Sequence, residues 1–156
     1  FFKKEIRNDK FIFILPKNKL KFIDVMNEPK SVEILFNLLK KRKFSISHKN
    51  MPSLKSHESF VKNNPYLSWY IIYYKDKPIG SIYLKRNNSI GLDLSKASIE
   101  WVSQILFFVK KSFQLQSQKL SVIPEYFYFN VSIKNKKLIN ILRNLCIEPI
   151  QISFKI

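Results

Sequence analysis

The stretch Asn88-Ser-Ile-Gly-Leu-Asp-Leu-Ser-Lys-Ala-Ser-Ile-Glu-Trp-Val-Ser-Gln104 reads as a strand handing over to a helix. Ser89 to Leu94 reads as a strand, and the helix beyond it opens at Ser98. Such a junction is where many α/β folds hold a phosphate on the amides of a helix N-terminus. Loops of that kind are usually rich in glycine, because a side chain blocks close backbone approach. This junction has none, since Gly80 and Gly91 are the only glycines in the chain.

Upstream, two more β-rich segments adjoin it. Ser68 to Tyr74 is followed by the turn Lys75-Asp-Lys-Pro78 and then by Ile79 to Leu84. With the Asn87-Asn88 turn, the three segments form an antiparallel meander. Ser31 to Lys41 sets Val32, Leu35, Phe36 and Leu39 on one helical face, and Ser53 starts a shorter helix ending at Asn63. Nearer the N-terminus, Lys10 to Leu15 reads as a strand closed by Pro16. Leu20, Phe22, Ile23 and Met26 recur at near-helical spacing up to Pro29.

Beyond the junction, Ser98 to Phe113 is helical, with Ile99, Val102, Leu106, Val109 and Phe113 as the expected buried stripe. Tyr126 to Val131 is an aromatic strand, Asn135 to Leu145 a helix, and Ile150 to Ile156 a last strand. The expected order is β-α-α-α-β-β-β-α-β-α-β in one domain spanning 1–156, an α/β (α+β) fold with a mixed central sheet.

Composition narrows the function. The 156 residues are 46% apolar with 14 Phe, enough for one sizeable core. No apolar run approaches membrane-spanning length, so no membrane span is expected. The chain opens Phe1-Phe2 without Met, and further residues are expected before it. No secretory signal is read, and a cytoplasmic location is the default expectation. Cys146 lies in an apolar helical stretch and reads as a buried structural thiol.

The net charge of +17 resembles a nucleic-acid signature, yet only Arg7, Arg42, Arg86 and Arg143 among the basic residues are not lysine. Lys, Asn, Ile and Phe dominate together, as codons built from A and T would produce. The runs Lys40-Lys-Arg-Lys43, Lys110-Lys111 and Lys136-Lys137 fall at or near helix ends. We read them as a solvated basic surface with no specific nucleic-acid partner. Two histidines, one cysteine and no clustered carboxylates leave no expected metal site.

The order of these pieces, and the residues within them, resemble the GNAT-type N-acetyltransferases over roughly Phe11 to the end. Trp69 to Leu84 looks like that family's central hairpin, Ile90 to Leu94 like its fourth strand, and Asn130 to Leu142 like its fifth strand and next helix. Ile46-Ser-His-Lys-Asn-Met-Pro52, with His57 and Phe60, resembles its substrate-side loop.

The resemblance implies acyl-CoA-dependent N-acyl transfer, with acetyl-CoA or another acyl-CoA as donor. The acceptor would be a small amine such as an amino sugar or amino acid derivative. The backbone of Leu92 to Leu94 would pair with the pantetheine, and Ser95, Lys96 and Ser98 would face the pyrophosphate. Asn130 and Asn135 would flank the cofactor, or serve only as strand-end and N-cap residues. Asp93 is either the base that deprotonates the amine or a solvated strand-end carboxylate. His48 is either a base at the substrate entrance or an ordinary loop histidine.

The chain departs from the family pattern at three places. Ile99 and Trp101 stand about where the pyrophosphate loop carries glycines, with Glu100 between them. Ile141 and Leu142 stand where a tyrosine often protonates the leaving thiolate, and Cys146 where a glycine usually ends the helix. The alternative is therefore a non-catalytic domain on the same scaffold, binding a ligand or a protein.

Overall fold

The computed structural model describes residues 19–44, 50–117, 119 and 122–153. The protein is a mixed α/β fold with a five-stranded sheet and four α-helices among these residues. The strands are β1 (Lys21–Asp24), β2 (Ser68–Tyr74), β3 (Lys77–Leu84), β4 (Ser89–Leu94) and β5 (Tyr128–Phe129). The helices are α1 (Ser31–Lys41), α2 (Leu54–Asn63), α3 (Ile99–Ser112) and α4 (Lys136–Asn144). Sheet order follows chain order, with three antiparallel pairings from β1 to β4 and a parallel one between β4 and β5.

The meander owes its shape to its turns. Lys75 and Asp76 both adopt positive φ (47° and 58°), the conformation of the tight hairpin turn that matches strand twist. Asn88, at φ 64°, closes the second hairpin. It is fully buried, and its side chain fastens the segment after α3. Its Oδ1 accepts from the Gln116 amide at 2.8 Å, and its Nδ2 donates to the carbonyls of Gln116 and Pro124 at 3.2 and 2.8 Å.

Alternation along the strands sends side chains to two helical layers. Ile72, Ile82, Leu84 and Ile90 pack with Ile105, Val109 and Phe113 of the α3 region. On the other face, Trp69, Ile71 and Tyr73 pack with Leu35 of α1, Val61 of α2 and Val25. α4 adds a third cluster, in which Leu138, Ile141 and Leu142 meet Val102, with Leu92 and Leu94 packed against it. The two glycines have tertiary reasons. A Cβ at Gly80 would lie 2.1 Å from the Asp93 carbonyl oxygen, and one at Gly91 would strike the Tyr83 ring.

Several expectations change. The near-helical spacing of Leu20 to Met26 is not a helix: Lys21–Asp24 pairs with β2, and only Val25–Asn27 makes a single 3₁₀ turn. Four strand-forming residues gained a partner edge, which outweighed weak helical periodicity. In α3 the buried residues are Val102, Ser103, Gln104, Ile105 and Val109, whereas Ile99 is 38% exposed. The helix sinks deep enough to bury polar residues, and Gln104 accepts the Leu20 amide at 2.9 Å. β5 is two residues long rather than six, and 150–153 are not strand. The expected strand at Lys10–Leu15 lies outside the described residues, as do Phe154, Lys155 and Ile156 of the last one.

Cys146 is exposed rather than buried. It holds φ 58° at the end of α4, where its amide bonds the Arg143 carbonyl at 2.9 Å. The Ile147 amide bonds the Leu142 carbonyl at 3.0 Å, completing a left-handed helix stop.

Candidate active site

The parallel pairing of β4 with β5 is the feature from which a site can be built. On the β3 side, the Ser95 amide donates to the Ile79 carbonyl (2.8 Å), and the Lys85 amide to the Ser89 carbonyl (2.9 Å). Odd-numbered residues of β4 therefore direct their backbone groups at β3. Ile90, Leu92 and Leu94 direct theirs the other way, toward β5. That side is met only at its start. The Tyr128 amide reaches the Asn88 carbonyl at 3.4 Å and the Asn130 amide reaches the Ile90 carbonyl at 3.3 Å, both long. The next rung would join Leu92 to Asn130, and among the described residues it is not formed. The polar backbone of Leu92 and Leu94 thus borders a parting between the strands.

Downstream lies the N-terminus of α3. Ser98 caps it, its hydroxyl accepting the Trp101 amide at 3.2 Å. That bond and the Ser95 bond to β3 commit two groups expected to face an anion. The amides of Ile99 and Glu100 have no backbone partner among the described residues, and the exposed Lys96 stands beside them. The Trp101 ring packs on Tyr74 (centroids 5.3 Å apart). The tip of the helix dipole is therefore available, with side chains where glycines would allow closer approach.

On the opposite face of β4, Asp93 projects toward the end of α1. Arg42, the residue after that helix, brings its Nε to 3.6 Å from Asp93 Oδ2. Both side chains are about a quarter exposed or less (26% and 21%). Burial raises the Asp93 carboxyl above its ordinary range, and the Arg42 charge offsets this only in part.

Tyr66 and Tyr83 complete the surroundings, their rings stacked at 3.9 Å. Burial raises the Tyr66 phenol strongly, the Tyr83 hydroxyl adds to this, and the nearby Arg42 opposes it. Gly91 is what leaves room for the Tyr83 ring.

The structure separates the expected residues. Asp93, Leu92 and Leu94 lie on the one strand, with Ser95, Lys96 and Ser98 just beyond. Asn130 is exposed and contributes its backbone amide to the last β5 rung. Asn135 is the N-cap of α4, accepting the Leu138 amide at 3.2 Å. His48 lies outside the described residues. His57 is buried, with Nε2 3.2 Å from the Val32 carbonyl and Phe36 beside it, so it ties α2 to α1. Burial lowers its basicity.

Sequence reasoning passed over Arg42, which sits in a basic run read as solvated surface. The one available signal was that it is an arginine among lysines.

No protein-family model matches the chain, and no curated protein matches it. Among the described residues, no helix is long and apolar enough to cross a membrane, and no group of three His, Cys, Asp or Glu side chains could hold a metal ion.

Proposed function

We propose that this protein is a GNAT-type N-acyltransferase, taking an acyl-CoA at the parting of β4 and β5 and a small amine from the face of Asp93. The observation that carries the reading is the end of the β4–β5 ladder after Ile90, with Asp93 between the two residues whose backbone is left unpaired. An amide-bearing chain such as pantetheine can use the backbone of Leu92 and Leu94 as a strand edge. The amides of Ile99 and Glu100 and the Lys96 side chain can meet a pyrophosphate.

When bound, the acyl-CoA supplies a thioester carbonyl open to attack by nitrogen. Asp93 accepts a proton from the incoming ammonium at a carboxylate oxygen, and its raised basicity suits that task. Arg42 limits the rise. α4 contributes no acid for a departing thiolate, because Ile141 and Leu142 are buried in its apolar cluster. The family order of elements is part of this proposal.

A second reading is a non-catalytic ligand- or protein-binding domain on the same scaffold. It is favoured by the Ile99, Glu100 and Trp101 side chains at the phosphate end. Calorimetric titration distinguishes the two. Acetyl-CoA is compared with an acetyl-pantetheine lacking the 3′,5′-ADP portion, and an acyl-transfer assay is then run on wild type and Asp93→Asn. Weak acetyl-CoA binding, little dependence on the ADP portion, and transfer lost in Asp93→Asn are expected. Absence of binding by both thioesters would remove the enzyme reading and leave the second.

A further inference from the structure

We infer that the Asp93 face of β4, with Arg42 beside it, is suited to an amine that carries its own carboxylate, an amino acid or aminoacyl compound rather than an amino sugar. The ground is the Arg42–Asp93 pair. At 3.6 Å the Nε to Oδ2 approach is beyond hydrogen-bond length and is not the forked geometry arginine makes with a carboxylate. Among the described residues, Asp93 is the only acidic partner of Arg42, and no hydrogen bond satisfies its guanidinium. Two partly buried, opposite charges thus face one another with most of their hydrogen-bonding capacity not taken up by described protein groups.

Charge balance then selects the ligand. An amine without an acid group, seated as its ammonium on Asp93, would leave the Arg42 charge uncompensated in a half-buried place. A simple anion on Arg42 would do the same to Asp93. Leaving a buried charge unpaired is costly, whereas a zwitterion supplies a partner to both. Its ammonium faces Asp93, which puts the nitrogen beside β4, and its carboxylate faces Arg42 at the end of α1. The stacked rings of Tyr66 and Tyr83 border this face, and burial raises the Tyr66 phenol, which favours its protonated form. The inference rests on the acyltransferase reading for the fate of the amine, though not for its binding.

The test uses the full chain without any acyl-CoA. Backbone amide NMR shifts of Ser81, Gly91 and Asp93 are tracked during titration with L-alanine, L-alaninamide, ethylamine and glucosamine, and with larger L-amino acids. At least one free amino acid is expected to shift these amides, with its amide and its decarboxylated amine about tenfold weaker or worse. Arg42→Gln should abolish that preference and Arg42→Lys retain part of it. Equal affinity for acid and amide, preference for glucosamine, or no shift with any probe would overturn the inference, whether or not the Arg42 variants fold. Acyl transfer is scored separately. Amino acid binding without transfer from acetyl-CoA supports the zwitterion site and counts against the enzyme, whereas transfer to amines regardless of a carboxylate does the reverse.

Discussion

At the scale of single residues, the protein holds two side chains in conformations or environments that cost stability. Asp93 is the first. Its folded pKa lies above the ordinary value of 3.8, so the ionised form is disfavoured in the fold relative to the unfolded chain. Stability from this group is fully present below 3.8 and is lost as pH rises through the folded value. Asp93→Asn should therefore melt higher than wild type at neutral pH, with the advantage vanishing in acid, while acyl transfer is lost. Thermal melts across pH check this, and a neutral-pH loss of stability would mean that the Arg42 contact outweighs burial.

Cys146 is the second, a non-glycine residue at φ 58°. Left-handed geometry costs a side-chain-bearing residue about 1–2 kcal/mol, partly offset by glycine's greater freedom when unfolded. Cys146→Gly should stabilise by about 0.5–1 kcal/mol, read as a rise of about 1–4 °C in melting temperature. The sequence marked this position by its place after a helix, while burial of the thiol was misjudged because residues on both sides are apolar.

At the scale of elements, the N-terminus of α3 is the part whose chemistry can be altered with least damage. Ile99 is its first residue and is exposed, and Glu100 adds a negative charge to the first turn. Trp101 is packed on Tyr74 and is best left alone. Ile99→Gly with Glu100→Lys opens backbone approach and removes a repulsion of about 1 kcal/mol at surface dielectric. Acetyl-CoA affinity should rise about fivefold or more, measured by calorimetry on a variant first shown to fold. An unchanged affinity would place the obstacle at the parting of β4 and β5 instead. Elements with strong local signals, such as α1, α2, β2 and β4, were legible in the sequence because turn residues, caps and periodicity agreed. β1 was not, because four residues carry too little periodicity to outvote a neighbouring strand edge.

At the scale of the whole molecule, reading the +17 charge as a diffuse field rather than a shaped site makes a prediction about nucleic acid. Any DNA or RNA binding should be blind to sequence and fall roughly tenfold or more between 50 and 200 mM salt, in a filter-binding or polarisation assay. Selective binding at physiological salt would require a basic recognition surface after all. What the sequence alone determined was the meander, the helices after it and the lack of glycine at the strand-to-helix junction, because each depends on residues close in the chain. Only the tertiary structure decided that Arg42 meets Asp93 across 51 positions, that Asn88 fastens the segment after α3, and that β5 leaves β4 after Ile90. Those depend on how helices settle on a twisted sheet, and packing between distant segments has no local period to read.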